Sequence, residues 1–302
     1  MLSFILILVC SLFFPGVISR TKSLCAGRKG PGIFQPLRDV WVLFNKGSVF
    51  STTSSYIFQI APTITFATIL FAAFIVPFSN HEAIFGFQGD FVFFSYLIAL
   101  GRFFLIIGAL DVGSGFEGMG ANREALYSML VEPAFFVLMG SLAMATGHSS
   151  FADLFSSFVY TQNNVYIIAA LSIYLLIQIS IVENSRLPVD DPKTHLELTM
   201  VHEVMVLDNS GFDMALTHIS SMLKFAIFGT LVTNVIVSPY WNLPLQLLCL
   251  LCVQLVFAVI IGFQESFRAR NKMIKNPQFL LTLTSIALLI FVVMLTLKYK
   301  LV

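Results

Sequence analysis

Residues 225–264 read FAIFGTLVTNVIVSPYWNLPLQLLCLLCVQLVFAVIIGFQ, a run without a single charged side chain. One helical crossing of the hydrocarbon core of a membrane takes roughly 20 residues, so this run is long enough for two crossings. The tight turn SPYWNLP at 238–244 divides the run, and its Tyr240 and Trp241 suit a membrane–water interface. The run therefore predicts two consecutive membrane-spanning helices.

The rest of the chain has the same character. It has 302 residues, of which 57% are hydrophobic and only 11% are charged, whereas a soluble domain carries about 25% charged residues. The net charge of +1 gives no indication of a nucleic-acid partner, and none is expected. The composition predicts an all-α, polytopic membrane protein with one membrane domain over residues 1–302. Its apolar windows predict spans at about 2–19, 56–77, 91–110, 125–147, 164–182, 216–238, 244–264 and 279–297.

Lysine and arginine predict the orientation of these eight spans. Apart from Arg102 and Lys224 inside spans, every basic residue before Lys298 falls in the loops after spans one, three, five and seven. Loops rich in basic residues remain in the cytoplasm, so both termini are expected outside. The N-terminal stretch MLSFILILVCSLFFPGVISR lacks the positively charged start of a signal peptide, and we interpret it as a retained first span.

The most polar passage, ENSRLPVDDPKTHLELTMVHEVMVLDNSG at 183–211, joins spans five and six. Asp191 and Pro192 predict a helix start, and Gly211 predicts a stop. The helix between them, of about sixteen residues, is too short and too charged to span a membrane. We therefore predict a polar cytoplasmic loop and helix over 183–215.

This passage has three interpretations. His195, His202 and Glu203 resemble metal ligands, but the zinc pattern H-E-x-x-H needs a histidine where Val206 stands, so no metal site is expected. Carboxylates and histidines partly buried at a membrane boundary could instead relay protons. The third interpretation is a solvated helix without a further role, which composition alone slightly favours.

Ionisable residues inside the spans shift this balance towards the relay. Arg102 lies in span three, Glu132 in span four and Lys224 in span six. A charge at mid-membrane costs at least about 2.5–3.5 kcal/mol, so these groups should face a protein interior or a water cavity and find partners. Asp111 and Glu183 lie at span ends, where snorkelling also fits. Together they predict a buried polar path from residues 183–211 into the bundle.

Three other segments need an interpretation. GSGFEG at 113–118 matches G-x-G-x-x-G, but a membrane span precedes it where the dinucleotide fold needs a strand, so DVGSGFEGMGANREA is read as a flexible cytoplasmic connection. The cytoplasmic loop 20–50 predicts an amphipathic surface helix with Leu37, Trp41 and Phe44 on one side. Cys249 and Cys252 lie in a span without other ligand types and are read as packing or lipid-facing thiols.

In this order the segments resemble one family, the membrane subunit 1 of respiratory complex I and its relatives in energy-converting hydrogenases. RKGPGIFQPLRDVWVLFNK resembles its basic segment and amphipathic helix, and GALDVGSGFEGMGANREA its connection between spans three and four. ENSRLPVDDP resembles its signature E-x-x-R-x-P-x-D after span five. DPKTHLELTMVHEVMVLD lacks the closely spaced glutamates of the quinone-reducing members and resembles the hydrogenase-type branch, which includes formate hydrogenlyase and hydrogenase-4.

The resemblance implies a non-catalytic subunit of an oxidoreductase complex in a bacterial or archaeal cytoplasmic (inner) membrane. The chain itself is expected to hold no cofactor. Iron–sulfur clusters and usually a nickel–iron centre would belong to soluble hydrogenase-like large and small subunits, and antiporter-like membrane subunits would complete the complex. The residues expected to dock the soluble arm are Arg28, Lys29, Gln35, Asp39 and Arg123. Those expected to couple electron transfer to proton or ion translocation are Glu183, Arg186, Asp190, Asp191, Glu197, His202, Glu203, Glu132, Asp111 and Lys224.

Two alternatives stay open. The chain could be the quinone-binding subunit of a complex I-type NADH dehydrogenase, which a bound quinone would reveal. It could also be an autonomous secondary transporter, a class that predicts internal repeats and broken helices. No convincing repeat is present in the sequence.

Overall fold

Each of the eight predicted apolar windows forms a long helix in the computed structural model, which describes residues 1–79, 81–157, 163–190 and 200–299. Among these residues no strand is present, and eight helices are long and apolar enough to cross a membrane. The prediction of an all-α protein with eight spans is therefore confirmed. In chain order the helices are α1 (Leu2–Cys25), α2 (Gln35–Phe44), α3 (Tyr56–Ile75), α4 (Asp90–Asp111), α5 (Gly115–Thr146), α6 (Phe151–Ser156), α7 (Asn163–Glu183), α8 (His202–Met205), α9 (Gly211–Ile236), α10 (Leu243–Phe267) and α11 (Asn276–Tyr299).

Helix α9 is the most buried of the eight spans and contacts α1, α2, α3, α7 and α10. Around it, α3 packs on α4, α5 packs on α11 and α1 packs on α10. The contact of α3 with α4 is close because α4 has Gly101 there: a Cβ at this position would lie 2.4 Å from Thr68 Oγ1. The Thr65 hydroxyl donates a hydrogen bond to the Gly101 carbonyl at 2.9 Å. Small residues and hydroxyl groups thus hold the spans together, as is common where lipid removes the hydrophobic driving force.

Helix α5 begins at Gly115, whereas the predicted span begins at 125. The flexible connection predicted for DVGSGFEGMGANREA is therefore wrong over most of its length, because the chain is helical from Gly115 onwards. The small residues have a packing role instead. Ala121 is fully buried, and a Cβ at Gly120 would lie 2.1 Å from Val204 Cγ1 and 2.8 Å from the Val201 carbonyl oxygen. They allow α5 to lie directly against residues 200–205.

The helix of about sixteen residues predicted in the polar passage is also wrong where it is described. Helix α8 is a single turn, and Met200 and Val201 before it are not helical. Side chains bind backbone groups here: Asp190 accepts a hydrogen bond from the His202 backbone N–H at 2.9 Å, and Arg123 donates one to the Met200 carbonyl at 2.9 Å. The rest of the predicted helix, with Asp191, His195 and Glu197, lies outside the described residues.

The amphipathic helix predicted in loop 20–50 is confirmed as α2. Leu37, Trp41 and Phe44 line one apolar groove together with residues of α1, α3 and α9, so they share one side of the helix. Val40 lines the same groove and is buried. The sequence pattern therefore identified both the helix and its apolar side.

The connections after α1, α4, α7 and α10 lie at one end of the bundle. There the Val49 backbone N–H donates to the Ser210 hydroxyl at 2.9 Å, and the Asn271 backbone N–H donates to the Pro188 carbonyl at 3.0 Å. We call this the basic end, defined by residues 26–55, 112–114, 184–190, 200–210 and 268–275. It is the end on which the polar residues of the sequence analysis converge.

Candidate functional site

Arg102 of α4 lies at the centre of a group of charged side chains from several spans. Its guanidinium forms an ion pair with Glu183 of α7 and lies 3.5 Å from one carboxylate oxygen each of Glu124 and Glu132 on α5. The arginine side chain is only 8% exposed. A guanidinium has five N–H donors in a planar fork, so one buried arginine can serve several carboxylates.

Lys224 of α9 brings a second cation to this group. Its ammonium donates a hydrogen bond at 3.0 Å to the main-chain carbonyl of Glu183, at the C-terminal end of α7, where helix carbonyls lack helical partners. A small cavity of about 20 Å³ is lined by Lys224, Arg102 and Glu124 together, which is room for about one water molecule. Four spans thus contribute to one connected set of charges. We call it the Arg102 cluster, consisting of Arg102, Glu124, Glu132, Glu183 and Lys224.

Burial differs within the Arg102 cluster. The Glu183 side chain is 5% exposed, whereas that of Glu132 is 35% exposed. The cluster is therefore buried at Glu183 on α7 and accessible from outside the bundle at Glu132 on α5.

Sequence analysis missed Glu124 because its segment was read as a connection. Glu124 and Glu132 are eight residues apart, which puts them on one face of a helix of 3.6 residues per turn. This spacing would have indicated Glu124 once α5 was extended towards its N-terminus.

A larger cavity of about 350 Å³ lies at the basic end, between α1, α2, α9 and the residues around α8. Its polar wall includes Gln35, Asp39, Arg186, Glu203 and His218. His202, Thr217 and Ser221 line this cavity and also the small cavity beside Lys224. The basic end and the Arg102 cluster are therefore connected through a shared wall of hydroxyl groups and one imidazole.

His202 occupies this shared wall as a neutral side chain. Burial lowers its pKa to about 3, and the positive charges of Lys224 and Arg102 act in the same direction. A neutral imidazole has one N–H donor and one acceptor nitrogen. It can therefore accept a proton on one side and release another from the opposite nitrogen.

Arg186 and Asp190 of the signature lie outside the Arg102 cluster. Arg186 pairs with Glu265 of α10 at 3.0 Å, and Asp190 pairs with Arg270 at 2.6 Å. Lys22 of α1 lies 3.5 Å from the second oxygen of Glu265. We call these contacts the signature-loop ion pairs. Neither Glu265 nor Arg270 was singled out from the sequence, because their partners lie about 80 positions away.

The other residues predicted for coupling are spread over the basic end. Asp111 accepts hydrogen bonds from the Ser55 backbone N–H at 2.7 Å and from the Ser55 hydroxyl at 2.8 Å. It thus caps the start of α3 and takes no part in the Arg102 cluster. Glu203 lies in the wall of the larger cavity, and Asp191 and Glu197 lie outside the described residues.

The residues predicted for docking of a soluble arm are of two kinds. Arg28 and Lys29 are exposed at the basic end. Gln35 instead donates a hydrogen bond to Asp39 at 2.7 Å, both line the larger cavity, and Arg123 turns inwards to the Met200 carbonyl. Among the described residues, no group of three or more His, Cys, Asp or Glu side chains could hold a metal ion, and the four cysteines are free.

Comparison with known proteins places this geometry in a family. The family model described as NADH dehydrogenase matches residues 1–297. Hydrogenase-4 component C of Escherichia coli (strain K12) is 28% identical over 276 residues, which cover 89% of this chain and 86% of that protein. Formate hydrogenlyase subunit 4 of the same organism is 27% identical over 183 residues, 61% of this chain and 60% of the relative.

A solved structure shows the same fold. One chain in the structure of the membrane-bound sulfane sulfur reductase, an archaeal respiratory membrane complex, superimposes with a TM-score of 0.79. The match covers 97% of this chain and 98% of that chain at 18% identity, so it supports the fold alone. From the family match over almost its entire length, we conclude that this multi-pass membrane protein belongs to the NADH dehydrogenase family, the family of complex I subunit 1.

Proposed function

We propose that the chain is the membrane-anchoring, ion-coupling subunit of an energy-converting, hydrogenase-type complex related to complex I. The Arg102 cluster carries this proposal. Buried charges are costly inside a membrane and mark proton or ion pathways. Here they come from four spans and adjoin a cavity that reaches the basic end.

The composition of the cluster suits proton uptake. Glu124, Glu132 and Glu183 face two cations, Arg102 and Lys224, among the described residues. Carboxylates outnumber cations by one, so the cluster takes up a proton without leaving a buried cation unpaired. Like charges that share a site favour such protonation. A rearrangement of residues 183–206 during electron transfer would alter this balance and move the proton onwards.

The two Escherichia coli relatives support a hydrogenase-type assembly. In this proposal the basic end faces the cytoplasm of a bacterial or archaeal cell, both termini face outwards, and Arg28 and Lys29 contact a soluble arm. The arm holds the iron–sulfur clusters and a nickel–iron centre in its large and small subunits, and this chain holds no cofactor. An antiporter-like membrane subunit covers the α5 surface at which Glu132 is exposed.

The test is the number of ions moved per electron by the complete complex in sealed vesicles. Glu183→Gln removes the carboxylate that pairs with Arg102, so we expect electron transfer to continue while ion translocation is lost. Asp111→Asn is the matched control, because Asp111 lies at the end of α4 and its hydrogen bonds within the described residues go to Ser55, before α3, and Phe58, in α3. Unchanged ion translocation with Glu183→Gln would contradict the proposal.

One observation favours quinone binding as a second candidate function. The apolar groove of about 700 Å³ beside α2 shares Val40 and Met222 with the polar cavity at the basic end. A molecule with a polar head and an apolar tail would fit the two spaces together. Solvent extraction of the purified complex tests this candidate: quinone in a one-to-one ratio, together with loss of turnover in Met222→Trp, would favour it. Absence of quinone and full turnover would favour the hydrogenase-type function.

A further inference from the structure

The signature loop, residues 184–190, folds into a short turn that presents charges of both signs. The Asp190 backbone N–H donates to the Arg186 carbonyl at 3.3 Å, so the acid and the base leave the same turn. Leu187 and Val189 are buried between them. The loop is therefore a compact unit and is not a loose connection.

This unit is attached at several points to the end of α10 and the residues that follow. The charges cross: the base Arg186 meets the acid Glu265, and the acid Asp190 meets the base Arg270. The backbones also meet, since the Asn271 N–H donates to the Pro188 carbonyl at 3.0 Å. The Asn276 side-chain amide donates to the Val189 carbonyl, also at 3.0 Å.

Burial makes these ion pairs specific for one position of the loop. The Glu265 and Asp190 side chains are 2% and 3% exposed, so neither carboxylate can turn to water when its partner leaves. Without its arginine, Glu265 would keep the longer contact to Lys22 and Asp190 the backbone N–H of His202, and a buried carboxylate that has lost its main ionic partner is unfavourable. The pairs therefore hold the loop in a single register on α10.

The loop is also connected to both parts of the coupling site. Glu183, which pairs with Arg102, immediately precedes it. Asp190 uses its second oxygen to accept the His202 backbone N–H at 2.9 Å, at the start of α8. Displacement of the loop on α10 would therefore move the Glu183 carboxylate and the His202 imidazole together, relative to Arg102 and Lys224.

We propose that Glu265 and Arg270 are positioning residues for ion coupling: their crossed ion pairs with Arg186 and Asp190 hold Glu183 and His202 in register with the Arg102 cluster. This inference rests on the proposed function. It adds one residue at the end of α10 and one in the connection that follows, and each pairs with a residue of the signature loop.

The experiment compares four variants in the complete complex, with electron-transfer rate and ions moved per electron as separate measurements. Arg270→Gln breaks the ion pair with Asp190, and Glu265→Gln breaks the ion pairs with Arg186 and Lys22. We expect the ions moved per electron to fall roughly fivefold or more, as for sites with coupled free energies. Electron transfer should remain within about twofold of the parent. Lys272→Gln is the control, because Lys272 is an exposed base in the same connection, and both measurements should match the parent.

The charge-swapped variant Arg186→Glu/Glu265→Arg, made together with Lys22→Gln to remove the cation that also faces position 265, distinguishes positioning from general damage. It restores an ion pair with reversed polarity, so it should recover most of the coupling lost in Glu265→Gln. If neither single variant assembles, the charge-swapped variant is decisive. Recovery of its assembly and ion coupling supports the inference, and loss of both overturns the inference.

If Arg270→Gln and Glu265→Gln keep the ion coupling of the parent while Glu183→Gln loses it, the inference is overturned and the proposed function stands. Parental coupling in Glu183→Gln as well would instead overturn the proposed function.

Discussion

The Arg102 cluster and the signature-loop ion pairs use the same kinds of side chain but differ in balance and setting. The Arg102 cluster has three carboxylates for two cations, lies within four spans and adjoins cavities. In the signature-loop ion pairs each carboxylate has its own arginine, Glu265 also meets Lys22, and backbone hydrogen bonds accompany these contacts. An excess of carboxylates beside a cavity favours a change in their protonation. Carboxylates that each have a cation and backbone contacts nearby favour a fixed geometry. The comparison shows that the presence of buried charged side chains does not by itself identify a proton pathway.

The largest effect should come from removal of the shared cation. Among the described residues, Arg102→Gln leaves the three carboxylates with Lys224 as the one remaining cation of the cluster. Loss of one partner of a buried ion pair costs about 3–5 kcal/mol. We expect this variant to lose most of the assembled complex, as measured by co-purification and thermal unfolding. Arg102→Lys should be intermediate, because an ammonium lacks the planar fork that reaches several carboxylates. Parental assembly of Arg102→Gln would mean that the carboxylates do not depend on this arginine.

A smaller effect should follow from moving α5 away from residues 200–205. Gly120→Ala places a methyl group 2.1 Å from Val204 Cγ1, so α5 must move away from residues 200–205. Overpacking of this kind costs about 1–3 kcal/mol, and we expect a lower unfolding temperature and weaker ion coupling. Gly118→Ala is the control, since its Cβ meets only Leu110 at 3.9 Å, and alanine favours a helix. Equal unfolding temperatures in the two variants would show that the close approach at Gly120 carries no constraint.

The smallest effect should be the pH dependence that His202 contributes. Its pKa in the folded protein is about 3, and an unfolded histidine titrates at about 6.5. The unfolded chain therefore binds a proton that the folded chain excludes, so stability falls as the pH drops below about 6.5. His202→Gln should reduce this loss of stability at low pH by about 1–2 kcal/mol. The measurement is the fall in unfolding temperature between about pH 7.5 and pH 5. The exposed His148 is the control, and an equal change in His148→Gln would contradict the assignment.

Local signals were sufficient for the spans and for α2. Eight apolar windows were predicted, and the described part of the chain has eight long apolar helices, because the thickness of a membrane imposes the length and polarity of a spanning helix on the sequence itself. Local signals failed at Gly115–Glu124, where glycines suggested flexibility although the segment is helical and Gly120 packs closely against residues 200–205. They failed again at Met200 and Val201, where Asp190 and Arg123 bind the backbone from outside the segment.

By itself the sequence determined that Arg102, Glu132, Glu183 and Lys224 lie in or at the ends of spans, and that their burial requires partners. Only the tertiary structure decided which partners these are. The order of helices around α9 brings Glu124 to Arg102 and separates Asp111 from both. It also joins Asp190 to Arg270, 80 positions apart. Ion pairs between helices depend on lateral packing, and lateral packing leaves no periodic pattern along the chain.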